Sequence, residues 1–205
     1  MIHDAFLSSA TAVSGLLHTP ALDSAWDRPS ALPAFTNGAL AGHLARAVFN
    51  TQNYLAGDPP TGAPTHDAAT YLAMVATLTT EDNERIIARG STDAGTGAAD
   101  LCRRYDAAVA DLRLALPRIG EDTLVTVLGG RVMAVREYLV TRLVELLVHA
   151  DDLAVSLGVP TPAFADEAAE PVVMLLARFA HRRHGTPAML RALSRAERAG
   201  PIPAL

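Results

Sequence analysis

The segment VREYLVTRLVELLVHADDLAVSL, residues 135–157, constrains the fold more than any other part of the sequence. It is rich in Leu and Val, yet polar residues run through it at spacings of four or three: Tyr138, Arg142, Glu145, His149, Asp152 and Ser156. In an α-helix this spacing places them on one stripe. The other faces carry more apolar surface than a helix on a protein exterior needs. The pattern predicts a core helix whose polar stripe faces either solvent or an internal cavity.

Helical periodicity recurs along most of the chain. Apolar residues follow it in residues 2–18, 37–55, 67–78, 101–112 and 166–184, and a short helix is expected after residue 186. Thr36 or Asn37 can cap the helix that begins near residue 37. The charged stretch EDNERIIARG indicates only a polar turn of helix, and the Pro-rich stretch 19–36 is predicted to be a loop.

A short β-hairpin is the one predicted departure from helix. β-branched residues flank the pair Gly129-Gly130 in DTLVTVLGGRVMAV, which is typical of a hairpin with a two-residue turn. The sequence therefore predicts an all-α fold, a four-helix bundle with a hairpin before the fourth main helix and additional helices after it. We expect residues 1–160 to form the bundle and residues 161–205 a short helical extension packed on it.

Composition excludes several classes of function. All 17 basic residues are Arg and none is Lys, which rules out a Schiff-base lysine and a P-loop lysine. A net charge of −5 gives no reason to expect nucleic acid or membrane as a partner. Cys102 is the single cysteine and is interpreted as a small buried apolar residue. We expect a cytoplasmic monomer or homodimer that acts on small molecules.

Glu145 and His149 are four residues apart, so in a helix their side chains are neighbours and can bind one metal ion. A catalytic zinc usually takes three protein ligands and keeps another position open. His43 is the best third candidate, because it lies on the core face of the second predicted helix. Two other interpretations stay open, since such a pair is often a surface ion pair and a single core His is usually a hydrogen-bonded structural residue.

Three segments resemble the mycothiol-dependent maleylpyruvate isomerase family: ALAGHLARAVFNTQNYL, VLGGRVMAVREYLVTRLVELLVHADDLAVSLG and RHGTPAMLRALSRAER. The most specific motif is R-x-x-E-x-x-x-H-x-x-D-L, present as Arg142, Glu145, His149, Asp152 and Leu153. The resemblance covers nearly the whole chain. It implies the fold of the family's N-terminal domain, a DinB-like metal-binding four-helix bundle.

The resemblance also implies a ligand set. In the family a His on the second helix, here His43, and the pair matched by Glu145 and His149 bind a divalent metal beside which the thiol of mycothiol is held. We therefore expect zinc, with nickel, manganese or iron as alternatives, and mycothiol as the thiol cosubstrate. Arg142 is the candidate catalytic residue, because it can neutralise Glu145 or bind a substrate carboxylate. Trp26 lies where relatives carry a similar W-D-x-P loop.

The chain departs from the archetypal family member in one respect. That protein has a separate C-terminal α/β domain that contributes to its active site, whereas residues 159–205 are predicted to be helical here. The preferred hypothesis is a divalent-metal enzyme that uses mycothiol for transfer to, or isomerisation of, a small electrophile. A hydrolase that activates water at the same metal, and a bundle that binds metal or ligand without catalysis, are the alternatives.

Overall fold

The computed structural model describes residues 1–74 and 79–204 of the chain. Its helices, in chain order, are α1 (Ile2–Leu17), α2 (Pro20–Ser24), α3 (Asn37–Leu55), α4 (Ala68–Ala73), α5 (Thr80–Ala94), α6 (Ala98–Ala115), α7 (Val135–Leu157), α8 (Asp166–His184) and α9 (Thr186–Ser194). Two antiparallel strands, β1 (Leu124–Val127) and β2 (Arg131–Ala134), lie between α6 and α7. None of the described helices is long and apolar enough to cross a membrane.

Four long helices, α1, α3, α6 and α7, surround the main core. Each of α1 and α3 packs against both α6 and α7. The side chains between them are apolar and fully buried, among them Phe6, Leu44, Leu101, Leu139 and Leu146. α5 packs along α3, and α8 packs against α1 and α7. The predicted all-α four-helix bundle with a hairpin and extra C-terminal helices is confirmed.

α7 has the limits that its sequence predicts. No side chain caps its first turn, and it ends at Gly158, which adopts the left-handed conformation (φ 66°) that favours glycine at this position. Leu and Val side chains along its length are buried in the core. Tyr138 and Arg142 of the polar stripe are buried as well, and the side chains of Glu145 and His149 are only 21% and 19% exposed. The stripe therefore faces the interior.

α5 is longer than the sequence indicates. In place of a polar turn of helix, the structure has a 15-residue helix that packs closely along α3. The contact depends on glycine: a Cβ at Gly42 would lie 2.2 Å from the carbonyl oxygen of Gly90, and a Cβ at Gly90 would lie 2.7 Å from that of Ala39. Because no side chain separates the two backbones here, apolar periodicity does not reveal the interface.

Other sequence predictions need correction. The hairpin turn is longer than two residues: Val127 pairs with Arg131, so Leu128, Gly129 and Gly130 all lie in the loop. Both glycines have positive φ (75° and 72°), as tight turns of this kind require. The stretch predicted to be a loop after α1 contains the short helix α2. The helix predicted over residues 67–78 ends at residue 73, and residues 75–78 lie outside the described part.

Candidate metal centre

His43, Glu145 and His149 converge on one point between α3 and α7. The Nε2 atoms of His43 and His149 are 3.2 Å apart. Glu145 Oε2 lies 3.6 Å from the Nε2 atom of His43 and 3.3 Å from that of His149. The direct packing of α3 on α7 brings together residues that are more than a hundred positions apart in the chain. The three atoms form a nearly equilateral triangle.

This triangle has the dimensions of one face of a tetrahedral metal site. Zinc binds His nitrogen and carboxylate oxygen at about 2.0–2.2 Å, so that two ligand atoms of a tetrahedron lie roughly 3.3–3.6 Å apart. The observed separations run from 3.2 to 3.6 Å. The three side chains therefore fit a divalent metal ion, and such a site keeps one position for another ligand.

His149 is held in the orientation and tautomer that a metal ligand needs. Its Nδ1 donates a hydrogen bond to Asp152 Oδ2 over 2.9 Å, which directs Nε2 towards the other two ligand atoms. Burial alone would lower the pKa of His149, but its hydrogen bonds to Asp152 and Glu145 outweigh burial and raise the pKa to about 9. Without metal the ring is thus protonated at neutral pH, and a metal ion must displace that proton.

His43 is neutral under the same conditions. Burial, and next the charge of His149, lower the pKa of His43 to about 4. A neutral imidazole is the form that binds a metal. Its ring packs against Phe35, with the ring centroids 5.5 Å apart. The Nδ1 atom of His43 is buried and has no hydrogen-bond partner in the described part of the chain, so no hydrogen bond at this atom helps to orient the ring.

Glu145 is ionised, and Arg142 lies beside it. Burial would raise the pKa of Glu145, but the hydrogen bond from His149 and the charges of Arg142 and the two histidines hold this pKa well below its usual range. An Arg142 amino nitrogen is 3.8 Å from Glu145 Oε1. Arg142 also donates to the Thr141 hydroxyl over 3.1 Å and stacks on the Tyr138 ring. The position of Arg142 permits both roles that the sequence leaves open.

A large cavity opens beside the ligand triangle. It has a volume of about 690 Å³, and its walls are largely apolar: Leu32, Phe35, Leu72, Ile86, Ile87, Val144 and Val148. Its polar lining residues are His43, Asn83, Glu145, His149 and Asp152. A substrate or cosubstrate in this cavity would therefore lie against both histidines in mainly apolar surroundings.

A second, smaller cavity of about 180 Å³ reaches the same centre. It is lined by the guanidinium-bearing residues Arg46, Arg89 and Arg142 together with polar and apolar neighbours. His43 and Glu145 line both cavities, so the metal position can be approached from two directions. Arg46 and Arg89 were not predicted to belong to a site, because nothing in their spacing distinguishes them from ordinary surface arginines.

Trp26 acts on the site at a distance, by anchoring the start of α3. Its carbonyl accepts a hydrogen bond from the backbone nitrogen of Gly38 (2.8 Å), and its ring packs so closely on Gly38 that a Cβ there would lie 2.5 Å from a ring atom. The Thr36 side chain caps α3 through the backbone nitrogen of Ala39. These contacts fix the first turn of the helix that carries His43.

Some histidines and acidic residues outside the centre make contacts that need no metal. His18 pairs with Asp106 (2.8 Å), and His181 with the Thr186 hydroxyl (2.8 Å). Asp151 is exposed and accepts a hydrogen bond from Thr161. In the described part of the chain, the metal-ligand cluster that the geometry brings together is the one predicted from sequence.

The sequence profile of the mycothiol maleylpyruvate isomerase N-terminal domain matches residues 6–154. The chain belongs to this family. Among solved structures, the fold resembles the mycothiol-dependent maleylpyruvate isomerase (18% identity, TM-score 0.55) and a histidine-to-alanine mutant of that protein (17%, 0.52). Each comparison covers 89% of this chain and 72% of the other. No curated protein matches the sequence.

Proposed function

We propose that this member of the family is a divalent-metal-dependent enzyme that uses mycothiol, or a closely related small thiol, for transfer to or isomerisation of a small electrophile. The observation that carries the proposal is the triangle of His43, Glu145 and His149, which lies where two cavities meet. A structural metal needs no access from outside, whereas catalytic sites keep an open position. The names of the similar structures supply the thiol and the reaction class.

Each ligand residue has a defined task in this proposal. His43, Glu145 and His149 would hold the metal, with zinc as the first choice because nitrogen and carboxylate ligands in a tetrahedral arrangement suit it. A bound divalent metal lowers the pKa of a thiol that coordinates it, which provides a nucleophile near neutral pH. Asp152 keeps Nε2 of His149 aimed at the centre. Arg142 offsets the charge of Glu145 and can contact the substrate.

The large cavity suits the thiol cosubstrate. Its volume of about 690 Å³ lies within the range of small-molecule sites, and it reaches both histidines. Val144 and Val148 of α7 and Ile86 of α5 contribute apolar wall, which excludes water and strengthens electrostatic interactions at the centre.

The protein has no suitable thiol of its own for this reaction. Cys102, the single cysteine, is 5% exposed, and its Sγ donates a hydrogen bond to the carbonyl of Leu17 over 3.2 Å. Burial, and next the charge of Asp106, raise the pKa of Cys102. A buried thiol with a raised pKa is a poor nucleophile. A thiolate mechanism must therefore take its sulfur from a cosubstrate.

Calorimetric titration of the zinc-loaded protein with mycothiol tests the proposal. Wild type and Cys102→Ala should bind mycothiol with equal affinity, whereas His43→Ala, which lacks a metal ligand, should show no binding. If the zinc-loaded wild type has no affinity for mycothiol or a related small thiol, the thiol-dependent reaction is wrong. Hydrolysis by metal-activated water, or ligand binding without catalysis, then takes its place. Turnover that requires added thiol separates the proposal from both.

The division into residues 1–160 and 161–205 also remains a proposal. It is supported by the packing of α8 on α1 and α7, which places the extension against the bundle.

A further inference from the structure

Polar groups are unevenly distributed over the walls of the large cavity. Three of its five polar lining residues are the candidate metal ligands, and a fourth, Asp152, is hydrogen-bonded to one of them, His149. The fifth, Asn83, is exposed and lies in the first turn of α5. Apart from Asn83, the walls that do not belong to the metal centre are therefore formed by apolar residues.

One apolar wall is a loop that the structure holds in place. Residues 32–35, with the sequence LPAF, all line the cavity. The backbone nitrogen of Ala31 donates a hydrogen bond to Ser156 Oγ over 2.8 Å, which ties the loop to α7. Among the described residues Ala34 is the one non-glycine residue with positive φ (68°), a conformation that persists only where the surrounding structure imposes it. This wall therefore has a defined shape before any ligand arrives.

The facing walls come from helices. α5 contributes Ile86 and Ile87, and α7 contributes Val144 and Val148. Val144 and Val148 are four residues apart and so lie on one face of their helix. All four side chains are β-branched, which restricts their rotation about the first side-chain bond. The outer part of the cavity is thus a stiff aliphatic surface that offers no arginine and no carboxylate.

Such a surface favours one chemical class of occupant. Water that lies against aliphatic walls is displaced favourably by a hydrocarbon group. A charged or strongly polar group would lose its hydration there and find no hydrogen-bond partner in exchange. The volume of about 690 Å³ is in the range of sites for whole drug-sized molecules, so it admits an apolar group beside the sulfur of a thiol.

We propose that the large cavity binds an uncharged hydrocarbon group of the electrophile, an aryl or a branched alkyl group, with Ile87 and Val148 among the side chains that recognise it. Because His43, Glu145 and His149 form the inner end of the cavity, the reactive carbon next to this group would lie at the metal position. The hydrocarbon group itself is held by apolar side chains and not by the metal.

This inference rests on the proposed function, since it names the substrate class of the same site. Binding of the hydrocarbon group can nevertheless be measured with no thiol and no turnover. A failure of the thiol titration would leave this binding intact, and an absence of this binding would leave the thiol titration intact.

The test is calorimetric titration of the zinc-loaded protein with two neutral ketones, 4-phenylbutan-2-one and 4-oxopentanamide. They share the ketone and the two-carbon chain, and a carboxamide replaces the phenyl ring in the second. We expect the phenyl compound to bind at least about tenfold more tightly, because the ring leaves water for an apolar wall.

Two variants on different helices test the walls. Ile87→Ser and Val148→Ser should each weaken binding of 4-phenylbutan-2-one about fivefold, as expected for the loss of part of the apolar contact. Ile87 lies on a helix with no candidate ligand, so its substitution leaves the metal centre untouched. Val155→Ser is the matched control, because Val155 also lies on α7 but is 61% exposed and does not line the cavity. It should bind like wild type, with zinc content and circular dichroism unchanged in all three variants.

Any of three results would overturn the proposal. The first is an absence of binding of 4-phenylbutan-2-one, or equal affinity for the two ketones. The second is wild-type affinity in both Ile87→Ser and Val148→Ser, since the ring would then lie elsewhere. The third is complete loss of binding when zinc is removed by a chelator, which would show that the ketone coordinates the metal and that the walls contribute little.

Discussion

α5 and α7 both pack against α3 and both line the cavities beside the metal centre, but they are buried in opposite ways. α7 buries a nearly continuous surface of Leu and Val side chains. α5 is mostly polar, and its fully buried residues are Gly90 and Ala94. One contact is made by bulky apolar side chains and the other by their absence, which lets two backbones approach closely.

Because of this difference, the two helices contribute to the site in different ways. α7 supplies two of the three candidate ligand residues from a frame of packed apolar side chains, while α5 lines both cavities and contributes Arg89 to the smaller one. A contact between side chains can tolerate a substitution, because neighbouring side chains can change rotamer. The α3–α5 contact cannot adjust in this way, because a Cβ at Gly42 would lie 2.2 Å from a backbone carbonyl oxygen. The two helices should therefore respond differently to mutation.

Removal of a ligand from α7 should abolish the centre without unfolding the bundle. We expect His149→Ala and Glu145→Ala to lose their bound metal and to keep the circular dichroism of wild type, because burial of Leu and Val rather than the ion holds α7 in place. Metal analysis and circular dichroism of the purified variants measure the two effects. Unfolding of both variants would show instead that the metal is structural.

The α3–α5 contact should be the more sensitive to a single methyl group. Gly42→Ala would force the two backbones apart, and we expect it to lower the free energy of unfolding by about 1–3 kcal/mol in urea titrations. Gly15→Ala is the matched control: its Cβ would meet nothing within 4 Å, and alanine favours a helix over glycine by about 0.5–1 kcal/mol. Equal stability of Gly42→Ala and wild type would disprove the close contact.

A smaller effect is expected from the residue that orients His149. Asp152→Asn removes the carboxylate that accepts from Nδ1, and such partners typically contribute 10–100-fold to metal affinity. We expect zinc affinity, measured by competition with a chelator, to fall at least about tenfold. Asp151→Asn changes the neighbouring exposed carboxylate, which pairs with Thr161, and should leave the affinity unchanged. A similar loss in both variants would point to general electrostatics rather than orientation.

The smallest expected effect on stability concerns the N-terminal caps of α5 and α7. α5 begins with a capping box, in which Thr79 and Asp82 bond to each other's backbone nitrogens, whereas no side chain caps α7. Thr79→Ala should cost about 1 kcal/mol in the free energy of unfolding, because α5 has little apolar burial to hold it. Ser91→Ala, on the exposed side of α5, is the control and should change stability by less than about 0.5 kcal/mol.

The capping box also predicts a pH dependence. Hydrogen bonds from the backbone and then the side chain of Thr79 lower the pKa of Asp82 in the folded protein. Its contribution is therefore complete above the ordinary carboxyl pKa and is lost as the pH falls through the lowered value. Urea titrations over the acid range should show this loss in wild type, and Thr79→Ala should show less of it.

Much of the fold could be predicted because it depends on local patterns, and so could two of the three candidate ligand residues. The ends of α7 follow from its apolar periodicity and from Gly158, and the spacing of Glu145 and His149 places them on one face. His43 could be proposed from its position on a core face and from the family resemblance. That His43 meets the other two across the bundle is a long-range fact, which only the packing of α3 on α7 establishes.

The features that could not be predicted depend on glycines, which have no side chain, or on contacts between residues that are far apart in the chain. Gly42 and Gly90 give no periodic signal, so the sequence indicates only a polar turn of helix where α5 lies. The spacing of Arg46 and Arg89 in the sequence carries no information about a shared cavity, because they meet only when α5 lies against α3. The length of the hairpin loop depends on strand register, which the Gly129-Gly130 pair alone does not determine.

Because Cys102 is buried, the protein contributes little to the thiolate absorbance that is measured when a thiol is added. Since it is the single cysteine and its Sγ is held by the Leu17 carbonyl, the folded chain contributes almost no thiolate absorbance of its own near neutral pH. Any such signal that develops on titration with a thiol reports the added molecule. Alkylation of Cys102 by excess reagent, in turn, is limited by the opening of α1 from α6, and its rate measures how often that part of the bundle separates.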